Sequence, residues 1–344
     1  MVSIAPNHIN VSLIRAGDRQ MVWQYSWLAD DTTKWTGLHP NDSKGHSWYH
    51  SPVSIATAPE HFSLFLISED NSLYQANFDL NDTGEYTQWV KVGGLLAAPP
   101  GVAFENGVVH IFTVGMDRIL RYKTWTFKTG AYKPSGEDYM EIDREELFNA
   151  DIIPAGVNTG NDVSVFVVGR DENRLYRYNI DGKRKKDPLP GTWIGGLKAV
   201  SLMKGEWDLF GISKEGHLNH LYYRNGHSIQ LEILHRASNA NDQVLGIDAV
   251  DSKDGKMELF FTTHGREVHH STLNSNRWRP WGLVSQAGII ATPPKAVVHA
   301  AGALAVFGLD EHGVAWGNVR DRKTTQWSGW FGLPSAGGMT ENVG

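Results

Sequence analysis

The residues able to do chemistry gather in a few short stretches. Between His39 and His50 the segment HPNDSKGHSWYH holds three histidines, a tryptophan and a tyrosine within twelve residues. His46, His50 and Tyr49 could each donate a hydrogen bond to a carbonyl oxygen that gains charge in a transition state, and a histidine could also accept a proton. Trp48 would supply an apolar wall beside them. A second donor set, His264 and Arg266, stands in Thr262-Thr263-His264-Gly265-Arg266. We take His46, His50, Tyr49, His264 and Arg266 as candidate catalytic groups, and Trp48, Arg118, Arg170 and His312 as candidate substrate-binding groups. Asp117, Asp171 and Asp310 read instead as turn formers, because a short carboxylate bonds backbone a residue or two further on.

Metal and cofactor chemistry fit less well. His264 with His269 and His270 suggests a zinc set, but strand alternation sends His269 and His270 to opposite faces, and no thiolate or further carboxylate recurs nearby. The chain also lacks a Gly-x-Ser-x-Gly elbow, a phosphate-cradling loop and a dinucleotide fingerprint in a βαβ setting. No metal and no cofactor are expected.

What must position these residues is a repeat. Phenylalanine returns at Phe65, Phe112, Phe166, Phe210, Phe260 and Phe307 at intervals of 44 to 54 residues, each time in a short apolar run, and Ile14 takes the equivalent place earlier. About eight residues after most of them comes a second apolar anchor, Leu73, Leu120, Leu175, Leu218 or Val268, with a polar turn between, which is the pattern of a β-hairpin. A further strand carries tryptophan at Trp35, Trp89, Trp193, Trp278 and Trp327. Tyr139 to Ile142 and Ile229 to Ile233 replace it in two degenerate units.

Strand units at such a period predict an all-β β-propeller, because one blade cannot bury both faces alone and stacks on its neighbours around an axis. The expected fold is seven blades of four antiparallel strands, with six blades as the alternative. Residues 1–334 read as one domain and 335–344 as a tail. The first blade looks one strand short, so Trp327 to Leu333 is expected to supply or abut its closure. Asp143 to Asn149 reads as a helical turn. In a propeller the connections between blades and the central hairpin turns share one face, which would bring the candidate residues together.

A net charge of −6 with both signs interspersed argues against a nucleic-acid partner. The basic run Lys183-Arg184-Lys185-Lys186 reads as a solvated loop. Cysteine is absent, which excludes disulfides and thiolate chemistry. No signal peptide or membrane span is recognisable, so a cytoplasmic protein with no membrane partner is expected.

The pattern Pro-x-Val-Ala, as at Pro100 to Ala103, then Leu304-Ala305-Val306-Phe307 with its Asp310 turn and Trp327-x-x-Trp330-x-x-Leu333, resembles the repeat of bacterial and fungal lectin-like propellers. Seven-bladed fucose lectins are among them. The resemblance covers the whole chain and implies the scaffold. Six-bladed fungal fucose lectins repeat an arginine, a glutamate and a tryptophan or tyrosine between blades. Here Arg118, Arg170 and Arg266 fall at similar hairpin positions, but Asn71, Glu215 and Glu311 stand there in other units. No glutamate follows at constant spacing.

Since multivalent sugar binding needs its ligand residues to recur with the scaffold, one asymmetric site at the channel mouth is expected. Similar propellers include fungal hetero-Diels–Alderases that join a tropolone quinone methide to a humulene-type terpene. The function expected from this is a cofactor-free cyclase acting on a hydrophobic small molecule. The alternative is a multivalent fucose- or galactose-binding lectin with a glycan partner, and either reading allows a homo-oligomer.

Overall fold

A computed structural model describes residues 2–5, 8–15, 18–28, 34–38, 47–48, 50–79, 87–180, 186–225, 227–252, 254–285, 288–298, 303–321 and 325–333, giving backbone only for nearly all of the strands before residue 39. They form an all-β propeller of antiparallel strands in six hydrogen-bonded sheets. The first holds Val2–Ala5, His8–Arg15, Asp18–Leu28 and Lys34–Leu38. The second holds Val53–Ala58, His61–Ile67, Leu73–Asp79 and Val90–Gly93. Gly101–Glu105, Val108–Val114 and Leu120–Thr126 build the third, with Ala131–Lys133 and Met140–Asp143 both paired to its last long strand.

The fourth sheet runs to seven strands, from Ala155–Asn158 through Val163–Val168, Arg174–Asn179, Lys186–Val200, Trp207–Ser213 and Leu218–Tyr223 to Gln230–His235. Its long middle strand pairs Lys186 to Thr192 with one neighbour and Trp193 to Val200 with the other. Bulges around Gly195, next to Gly196 at φ 63°, turn the strand between the two partners. Val244–Asp251, Lys256–Thr263, Val268–Asn274, Arg277–Trp278 and Gly282–Leu283 form the fifth sheet. The sixth is Lys295–Val298, Leu304–Leu309, Ala315–Arg320 and Phe331–Gly332.

The repeated phenylalanine explains the layering. Phe65, Phe112, Phe166, Phe210, Phe260 and Phe307 are all at most 4% exposed, and burying each contributes roughly 2–3 kcal/mol. The first five each share a buried cluster with the next layer: Phe65 with Val109 and Ile111, Phe112 with Val163 and Val165, Phe166 with Trp207 and Leu209. Phe210 does so with Ile247 and Leu259, and Phe260 with Ala296 and Val306. The innermost strands touch in series from Val53–Ala58 round to Lys295–Val298, and Val2–Ala5 contacts both of these.

The turns repeat as closely. Asn71, Arg118, Gly216, Arg266 and Gly313 all have positive φ, and each N–H donates to the carbonyl three residues back. Each turn is stitched to the neighbouring connection, as where Glu69 N–H donates to Ser47 O, Met116 N–H to Leu95 O, Arg170 N–H to Leu147 O and His264 N–H to Gln243 O.

Several expectations are corrected. The first sheet has four strands of its own, and Phe331–Gly332 pairs with Ala315–Arg320, so among the described residues Trp327 to Leu333 adds no strand to the first sheet. Asp143 to Asn149 is not helical: the Asp143 carboxylate accepts from Glu145 and Glu146 N–H, and Phe148 forms a bridge to Gly169. Lys186 opens a strand and meets Asp143 and Glu146 at 3.2 and 2.9 Å, while the rest of the basic run lies outside the described residues. No described helix is long and apolar enough to cross a membrane.

Candidate functional site

Of the residues singled out by sequence, His46 and Tyr49 lie outside the described residues. Trp48 is 1% exposed and packs against Tyr74 and Trp89 at 5.7 and 5.0 Å, so it belongs to the core of the second sheet. His50 is half-buried, and burial pushes its pKa down. Arg118, Arg170, His264, Arg266 and His312 occupy equivalent turns on one face. Among the described residues only Arg266 and His312 come together, through Glu311, at 2.6 and 3.7 Å. Asp117 and Asp310 form turns as expected, accepting from the N–H of Ile119 and of His312 and Val314.

A polar pair the residue types had hidden recurs between the second and third strands of successive layers. The residue opposite the phenylalanine is Gln75, Tyr122, Arg177, His220 or His270. Each bonds the residue two before that phenylalanine: Gln75 to Ser63, Tyr122 to His110, Arg177 to Ser164, His220 to Asp208 and His270 to Glu258. Alternation puts both members on the phenylalanine's face, where they look across to the neighbouring layer. A spacing of 12 or 13 residues was the available signal, but the changing side chains mask it.

At His220 this pair borders a cavity of about 470 Å³ between the end of the fourth sheet and the fifth. The imidazole is 2% exposed and lies 2.7 Å from Asp208 through Nε2 and 2.7 Å from Glu232 through Nδ1. With a carboxylate oxygen at each nitrogen, whichever nitrogen carries the proton has an acceptor in reach. Arg224 Nη2 donates to the same Asp208 oxygen at 2.7 Å. Hydrogen bonding from His220 holds the Glu232 carboxyl below its ordinary range against the opposing effect of burial. Glu232 is 42% exposed and faces the cavity. Trp278, stacked on Trp281 at 15° and edge-on to His220, forms an aromatic wall, with Asn276 and Arg277 beside it. The cavity thus joins an aromatic ring to a carboxylate and two guanidiniums.

The sequence matches no family model and no curated protein. Solved structures do resemble the fold. BP39L lectin from Burkholderia pseudomallei aligns over 96% of this chain and 97% of its own, with a TM-score of 0.74 at 14% identity. AofleA from Arthrobotrys oligospora aligns over 86% and 93%, with 0.58 at 14%. The Aleuria aurantia lectin, described as a six-bladed β-propeller with a novel fucose recognition mode, aligns over 80% and 91%, with 0.50 at 10%. At these identities the likeness establishes an all-β, lectin-like propeller fold for this chain.

Proposed function

We propose that this protein is a carbohydrate-binding propeller whose sugar site is the cavity between the Gln230–His235 edge and the Arg277–Trp278 strand. The observation carrying this reading is the set Trp278, Glu232 and Arg224 on one cavity. A pyranose has an apolar C–H face and a rim of hydroxyls. An indole takes the first while a carboxylate and a guanidinium take the second by paired hydrogen bonds. The structural likeness to proteins named as lectins, one of them for fucose recognition, supports the same reading.

The ring is proposed to have seven blades, with Lys186–Val200 serving as outer strand of one and inner strand of the next. Supporting this are the two separate core layers within the fourth sheet and the closure of the inner strands through Val2–Ala5. The likeness to a six-bladed lectin also leaves a fifth of this chain unmatched.

A glycan array followed by calorimetric titration of α-methyl fucoside and α-methyl galactoside tests the reading. Binding that Trp278→Ala weakens about thirty-fold is expected; silence of the wild type on every glycan would overturn it.

The cofactor-free cyclase has less behind it. Of its proposed cup, His46 and Tyr49 lie outside the described residues, Trp48 lies in the core, and His264 and His312 are exposed. Mixing the protein with a tropolone methide precursor and a humulenol separates the readings: an altered product ratio would restore the cyclase.

A further inference from the structure

The inner strands carry a second arrangement, unrelated to the sugar cavity. On the innermost strand of each layer one residue pairs with the repeated phenylalanine: Val53, Gly101, Ala155, Lys198, Asp248 and Lys295. Three consecutive positions are neutral and small, and the next three alternate lysine, aspartate, lysine. In a propeller these strands line the central channel.

Asp248 is 4% exposed and fully engaged. One carboxylate oxygen meets Lys198 Nζ at 2.8 Å and the N–H of Ala249 at 3.1 Å. The other accepts the N–H of Ala296, on the next inner strand, at 2.8 Å. One aspartate therefore holds three inner strands together and has little left to offer a second amine. Lys295, beyond it, has no hydrogen-bond acceptor or ion-pair partner among the described residues. By accessible surface Lys295 is exposed at the channel, and the protein packed around its amine pushes it below its ordinary value against the pull of Asp248. Two amines facing one carboxylate leave one positive charge unbalanced beside the channel.

We propose that the channel holds a small oxyanion at Lys295, with the lysine amine as its principal donor and Lys198 contributing charge from the neighbouring strand. The neutral arc of Val53, Gly101 and Ala155 leaves no competing carboxylate at the same height. The ligand chemistry is an anionic oxygen, of a phosphate, a sulfate or a carboxylate.

The test follows thermal unfolding of the full chain while sodium phosphate, sulfate or acetate replaces sodium chloride at fixed ionic strength. At least one anion should raise the midpoint of the wild type and of Lys295→Arg by roughly 3 °C near saturation, and leave Lys295→Met unmoved. The anion that acts identifies the source of the oxygen. A wild type indifferent to all three anions, or an equal rise in Lys295→Met, overturns the proposal. Should Lys295→Met fail to fold, acetic anhydride labelling of the wild type decides. Protection of Lys295 but not Lys128 by the same anion supports the site, and equal labelling sinks it. Glycan binding in Lys295→Met should match the wild type, which keeps this outcome separate from that of the sugar cavity.

Discussion

Two neighbouring clefts of the ring hold the same motif and put it to different ends. In one, His220 lies between Asp208 and Glu232 beside an open cavity. In the other, His270 meets Glu258 at 2.7 Å, and Thr272 donates to the same Glu258 oxygen at 2.7 Å. Trp327 caps that histidine edge-on at 5.5 Å, so both members stay buried, each about 10% exposed. The register is identical. What differs is the outer-strand residue opposite the histidine, Glu232 in the first and Gly282 in the second. A long carboxylate reaching outward lines the cavity, whereas a glycine there leaves the pair as internal glue.

This contrast can be broken at several points. The largest effect should come from Glu258→Ala, which strands buried His270 and Thr272 and is expected to cost about 3–5 kcal/mol in urea unfolding without changing the sugar cavity. Trp278→Ala should cost roughly 2 kcal/mol of glycan binding, about thirty-fold, while the protein stays folded at room temperature. Glu232→Gln is expected to weaken glycan binding by about 1 kcal/mol and to shift the unfolding midpoint little, because its carboxylate is partly solvated.

Acid sharpens the same point. The folded Glu232 carboxyl titrates below its unfolded value, so its contribution is present above the ordinary glutamate range and fades as pH falls through the lowered value. Glycan binding measured down a pH series should decline only in that acidic window, and a loss near neutrality would exclude Glu232 as the group responsible.

The smallest effects concern the turns beside the two clefts, where Gly216 has φ 76° and Arg266 φ 64°. Gly216→Ala should destabilise by about 1 kcal/mol in thermal unfolding, since a Cβ is disfavoured there. Arg266→Gly should be nearly neutral, because relief of the left-handed backbone offsets loss of the exposed Glu311 pair.

Much of the scaffold was legible in the chain because burial leaves little choice of side chain. Phe65 through Phe307 and the turns at Asp117 and Asp310 could be read directly. The opening strand Val2–Ala5 could not, since four residues carry too little alternation to register as a strand. Glu145, Glu146 and Leu147 have helical propensity, but Asp143 and the bridge from Phe148 to Gly169 fix the segment otherwise. The candidate site was the least legible part. Ser63, His110, Ser164, Asp208 and Glu258 share a position but no chemistry, Glu232 sat in a unit read as degenerate, and Trp278 was read as one more core tryptophan of the repeat.

The strand Lys186–Val200 has a mechanical consequence. Elsewhere consecutive sheets are joined by connections that could slacken while both flanking layers persist, but here one continuous strand, bulged around Gly195, runs from one layer into the next. Amides on either side of Gly195 should therefore surrender their protons to deuterium as a single block, making this joint the last to part when the ring comes undone.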